Sequence, residues 1–204
     1  MLPKRIVAIG TSSLFGRVDP QGGGYIGRLK SWHEQQAAHN AVFNLGISGE
    51  TTTQMLARFE QELTPRKPDL ILVNTGSNDT RHRGTIAAPR DIPLITSLEN
   101  LQSMIVIGRK LAPIVFISIY PILDAETQPL MDTDYFYLQK DIAELAQATK
   151  RVCNENHLPY LNIFDEWNER EYPPYIHADG LHANEVGHQK IFEMLKEFLQ
   201  EIYA

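Results

Sequence analysis

Short apolar runs alternate with longer amphipathic stretches along the whole chain. Residues 5–10, 42–46, 69–76, 113–120 and 159–164 are rich in Ile, Val, Leu and Phe and are bounded by Gly, Pro or Asp. Near-continuous apolar runs of this length suit strands covered on both faces, as in a parallel sheet. Between them, residues 25–39, 51–63, 94–111, 137–157 and 185–203 carry apolar residues at helical spacing. In the last stretch Val186, Ile191, Leu195, Phe198, Leu199 and Ile202 recur every three or four residues and predict one apolar helix face. Strand then helix, five times over, predicts an α/β three-layer sandwich with a five-stranded parallel sheet and right-handed crossovers. Two connections, 80–93 and 121–135, are longer than a crossover needs, and long ordered loops are often functional.

The polar residues that interrupt this pattern fall at particular places. Ser12 lies two residues past the first run, Gly49 three past the second, Asn78 two past the third, and Asp179 with His182 lie beyond the fifth. In an open parallel sheet the C-terminal strand ends share one edge, and ligands bind there. All four segments are therefore expected to converge. Singly each has a plainer reading, since Ser commonly caps helices and Asn and Gly commonly make turns. Together they supply a hydroxyl, a glycine turn, a carboxamide and an Asp/His pair, which is the inventory of serine-dependent acyl transfer. A Ser hydroxyl needs a base to take its proton, and imidazole has the right basicity. The three-residue spacing of Asp179 and His182 lets one turn present the carboxylate to Nδ1 and leave Nε2 for Ser12.

Composition narrows the field. At 204 residues and 43 % hydrophobic, the chain suits a single domain, expected to span 1–204. A net charge of -6 argues against nucleic-acid or anionic-membrane binding and favours small neutral or weakly charged partners. The single cysteine, Cys153, excludes an intrachain disulfide and a multi-cysteine metal site. No apolar run approaches the length of a membrane span or a signal-peptide core, so a cytoplasmic location is the expectation. The glycines of Gly22-Gly23-Gly24-Tyr25-Ile26-Gly27 match GxGxxG but lie too far beyond the first strand for a dinucleotide turn. His177, His182 and His188 with Asp179 match no helix-based metal spacing. No metal or organic cofactor is expected, and oligomeric state is left open. No GxSxG is present, which argues against an α/β-hydrolase nucleophile elbow.

Four blocks of the sequence resemble those of the SGNH hydrolase superfamily, the GDSL-type esterases and lipases. They are Gly10-Thr11-Ser12-Ser13-Leu14-Phe15-Gly16, Asn44 to Thr52 with Gly49 at its centre, Gly76-Ser77-Asn78-Asp79, and Asp179-Gly180-Leu181-His182-Ala183-Asn184. The resemblance covers nearly the full length. It implies Ser12 as nucleophile, His182 as base held by Asp179, and Ser12, Gly49 and Asn78 as oxyanion donors. One position departs: Thr11 stands where the family has Asp before the nucleophile. The expected activity is hydrolysis of small carboxylic esters through an acyl-enzyme, with short acyl chains favoured. A carbohydrate O-acetylesterase and a catalytically silent binding module on the same fold are the alternatives. Arg81 and Arg83, in the loop after Asn78, are candidate substrate-binding residues for an anionic or hydrogen-bonding leaving group, or else pair with nearby acids such as Asp79 and Asp91.

Overall fold

The computed structural model describes residues 2–204. Seven strands and seven helices follow one another as β1 (Arg5–Gly10), α1 (Ser12–Phe15), α2 (Gly24–Glu34), β2 (Ala41–Gly46), α3 (Thr52–Leu63), β3 (Leu70–Asn74), β4 (His82–Arg83), α4 (Leu94–Gly108), β5 (Ile114–Ile117), β6 (Tyr135–Phe136), α5 (Gln139–Glu155), β7 (Tyr160–Leu161), α6 (Ile163–Asn168) and α7 (Glu185–Ile202). Five strands form the parallel sheet, in the order β2-β1-β3-β5-β7.

Strand alternation sends neighbouring side chains into two cores. Ile6, Ala8, Leu70, Leu72, Val115 and Ile117 pack with α2 and α7 on one face. Val7, Ile9, Ile71, Val73 and Phe116 pack with α3 and α4 on the other, where Cys153 is also buried. The helices are narrower than the sequence pattern predicts. In α7, Ile191, Leu195 and Leu199 are buried, whereas Val186 and Ile202 are exposed. The predicted strand at 159–164 is cut to two residues because Asn162 accepts a hydrogen bond from the Asp165 N–H and caps α6 instead.

Register explains why the site forms at one edge. Gly10 is aligned with Gly46 on one side and Asn74 on the other, and Asn74 is aligned with Ile117. Four strands thus end within one row, and the segments that follow begin at the same level. The two long loops are not independent excursions. They pair through the antiparallel ribbon of β4 and β6, with His82 opposite Phe136 and Arg83 opposite Tyr135. The ribbon is pinned to the start of α5 by His82 Nε2 and Arg90, which reach the Asp141 carboxylate at 2.7 and 2.6 Å. Among the described residues no helix is long and apolar enough to cross a membrane.

Candidate active site

Ser12 is the first residue of α1, two residues past the end of β1. The first bond of that helix runs from the Phe15 N–H to the Thr11 carbonyl at 2.9 Å, so the Ser12 N–H precedes the helix's own hydrogen-bond ladder. Thr11 is buried in an extended conformation at the N-cap. Its side chain lies so close to Gly76 that a Cβ there would fall 1.9 Å from Thr11 Oγ1. The glycine of the third block therefore makes room for the residue that departs from the family pattern in the first.

The last loop brings in the partners. His182 Nε2 lies 3.1 Å from Ser12 Oγ, and His182 Nδ1 lies 2.7 Å from Asp179 Oδ2. The other carboxylate oxygen accepts the backbone N–H groups of Leu181 and His182, each at 2.9 Å. Burial acts to raise the Asp179 pKa. The ring and backbone N–H of His182, together with the Leu181 N–H, outweigh it and hold the carboxyl well below the usual range. The imidazole is buried with the hydroxyl, both under 10 % exposed. A carboxylate on Nδ1 selects the tautomer that keeps a proton there and leaves Nε2 free to accept from Ser12.

On the opposite side, Gly49 has φ of +84° in the turn before α3, a conformation that favours glycine. A Cβ at that position would touch nothing within 4 Å, so the backbone angle and not space calls for glycine. Asn78 sits in a 3-10 turn, Ser77–Thr80, directly after β3. Its Nδ2 donates to the Glu50 carbonyl at 2.9 Å, which ties the second and third blocks together. Ser12, Gly49, Asn78, Asp179 and His182 all line one open cavity of about 700 Å³.

The arginines are placed differently. Arg81 lines this cavity and Arg83 does not. Arg81 Nε and Arg83 Nε reach the two oxygens of Asp91 at 2.6 and 2.7 Å, and both guanidiniums lie over the Tyr135 ring. The single Asp91 carboxylate is shared between the two guanidiniums. Tyr172 and Tyr175 pack with the core beside Trp167, away from the cavity lining.

Two tyrosines carry contacts that the motifs do not announce. Tyr120 Oη accepts the Ala183 N–H at 3.0 Å and lies 3.0 Å from Ser13 Oγ, so one phenol joins the residue after Ser12 to the residue after His182. Tyr137 reaches Asn78 from the far side of the turn. Tyr120 closes the apolar run 113–120 and reads as core. Tyr137 stands at the start of a helical pattern, and nothing in its spacing marks it.

A model of the GDSL-like lipase/acylhydrolase family matches residues 8–190. The chain belongs to this family. It is accordingly a hydrolase of ester bonds. It is similar to an acetylxylan esterase of Geobacillus stearothermophilus, 24 % identical over 203 residues that cover 92 % of this chain and 88 % of the relative. Among solved structures it resembles a lipase/acylhydrolase from Enterococcus faecalis, with TM-score 0.78 and 25 % identity over 98 % of this chain and 95 % of the other. A variant of an acetyl-xylooligosaccharide esterase from Geobacillus superposes with TM-score 0.76 and 18 % identity, covering 96 % and 94 %.

Proposed function

We propose that this GDSL-family hydrolase is a serine esterase that cleaves small carboxylic esters, short acyl chains favoured, through an acyl-enzyme in which Ser12 is the nucleophile. The observation that carries the reading is the unbroken line from Asp179 through His182 to Ser12, with links of 2.7 and 3.1 Å. His182 Nε2 takes the Ser12 proton as Oγ attacks the ester carbonyl, and the Asp179 carboxylate stabilises the imidazolium that forms. The carbonyl electrons move onto oxygen, where the N–H groups of Ser12 and Gly49 and the Nδ2–H of Asn78 meet them. Collapse expels the alkoxide, which leaves with the proton from His182. Water, deprotonated by the same nitrogen, then releases the acid and restores Ser12.

The acetylxylan esterase among the relatives favours an acetylated sugar as one form of the substrate. An open cavity with Ser48, Thr133, Arg81 and His177 in its lining has polar groups to offer such a leaving group. The whole chain is taken to act as one domain.

A fluorophosphonate probe tests the nucleophile. It should attach to the wild-type protein at Ser12, located by peptide mass mapping, and fail to attach to Ser12→Ala. Turnover of an activated acetate ester should fall roughly a thousandfold or more in Ser12→Ala and in His182→Ala, with little further loss in the double variant. Equal turnover by wild type and Ser12→Ala would overturn the reading. An unlabelled wild-type protein without turnover would favour the silent binding module. A panel of acetyl, butyryl and octanoyl esters and acetylated xylo-oligosaccharides then ranks acyl length and leaving group.

A further inference from the structure

A carboxamide turned by half a rotation puts its oxygen where its nitrogen stood. At Asn78 that rotation would aim a carbonyl oxygen at the oxyanion instead of an N–H. Two contacts on opposite ends of the amide oppose it. Nδ2 donates to the Glu50 carbonyl at 2.9 Å, and that group can only accept. Oδ1 accepts the Tyr137 hydroxyl at 3.1 Å. Nδ2 has two N–H groups and the Glu50 carbonyl takes one, so the second is left for the cavity that Asn78 and Tyr137 both line.

We propose that Tyr137 is a positioning residue for acyl transfer: its O–H fixes the Asn78 amide with Nδ2–H toward the oxyanion and, by drawing on Oδ1, makes that N–H a stronger donor. The inference rests on the reading of the preceding subsection, in which Asn78 serves the oxyanion. Hydrogen bonds in series polarise one another, so a donor on the amide oxygen strengthens what the amide nitrogen donates. The phenol is itself held. Its backbone N–H and C=O are bonded to the Thr127 carbonyl and hydroxyl at 3.0 and 2.9 Å, which clamps the strand-to-helix corner between β6 and α5. Tyr137 is almost fully buried, and burial pushes its hydroxyl up to about 12, so it keeps the proton it must donate. Arg81, fixed by Asp91, bears on the same phenol. The ribbon of the two long loops is thus the means by which Tyr137 is delivered to Asn78.

The test is a double-mutant cycle on acetate ester hydrolysis. Tyr137→Phe should lower kcat about tenfold with KM changed less than about twofold, the mark of an interaction used in the transition state. In the Asn78→Ala background the same substitution should change kcat less than about twofold. A second measurement avoids turnover: a boronic acid that adds to Ser12 as a tetrahedral anion should lose affinity in Tyr137→Phe by the same factor as kcat, in protein kept well below its melting midpoint. Equal losses in both backgrounds would mean that Tyr137 supports the fold or touches substrate directly, and either overturns the proposal, as does an unchanged kcat. Ser12→Ala is run alongside. If it keeps turnover, the acyl-enzyme reading falls and this inference with it, whereas an inactive Ser12→Ala with an additive cycle removes this inference alone.

Discussion

Asp179 faces two imidazoles. His182 Nδ1 is 2.7 Å from its Oδ2, and His177 Nδ1 is 3.4 Å from the same oxygen while accepting the Asp179 N–H at 3.2 Å. A carboxyl held well below its usual range stays ionised wherever the enzyme works, so its protonation sets no limb of kcat/KM in the ordinary carboxylate range. Measured on an acetate ester from about pH 4 to about pH 9, the profile should therefore show no step at the value of an ordinary aspartate. Asp179→Asn should keep the protein folded but lower the plateau by roughly three or four powers of ten, because the amide no longer selects the tautomer with Nε2 free. A step in the carboxylate range in the wild-type protein that Asp179→Asn abolishes would count against this assignment.

Asp79 shows how single elements are fastened around the site. Its carboxylate takes the Thr52 N–H at 2.8 Å, the Thr52 hydroxyl at 2.5 Å and the Ser97 hydroxyl at 2.6 Å. One side chain next to Asn78 therefore joins the 3-10 turn to the N-terminal ends of α3 and α4, where the helix dipole of α3 favours a negative charge. Burial is the leading influence and pushes this carboxyl above its ordinary value despite the three donors. Asp79→Ala strands those donors in the interior, which costs about 2 to 3 kcal/mol, or roughly 5 to 10 °C in Tm for a chain of this size. The turn beneath Asn78 loosens with it, so kcat should fall together with Tm in a thermal melt and rate assay, while an unchanged melt would show the clamp to be dispensable. The sequence made the Asn78-Asp79 pair legible because it lies where an apolar run stops. The same signal marked Ser12 and Gly49, each of which follows a strand whose end is set by the common register, whereas the Asp179–His182 pair lies beyond α6, in the loop that leads into α7. The β4–β6 ribbon was not legible, because two-residue strands have too few positions for alternation to register. With the ribbon unseen, Tyr137 had no visible reason to meet the motifs.

Over the whole molecule, ion pairs tie neighbouring segments to one another. Asp19 pairs with Arg28, Asp91 with Arg81 and Arg83, and Asp165 with Lys150, while Asp179 holds His182. All four carboxyls lie below their ordinary value of 3.8. For Asp19, Asp91 and Asp179 burial pulls the other way and is outweighed by their hydrogen-bonded partners, and for Asp165 the Lys150 contact leads. A folded-state value below the unfolded one means that the unfolded chain binds the proton first as pH falls. The stability these groups contribute is therefore complete above 3.8 and is lost as pH drops below it toward the folded values. Asp79 has the opposite sign, because its raised value makes the fold gain as the acid range is entered from above. Glu34 is lowered as well, so five carboxyls against one leave a net loss. The urea midpoint should accordingly begin to fall below pH 6.5, where the unfolded chain takes up a proton that burial keeps from His188, and fall clearly further by about pH 3. Asp79→Asn removes the opposing contribution, so its midpoint should start lower and drop more steeply over the same acid interval. A wild-type midpoint that is flat or rising between about pH 5 and about pH 3 would mean that these carboxylates are no better held in the fold than in the unfolded chain, which the four pairings contradict.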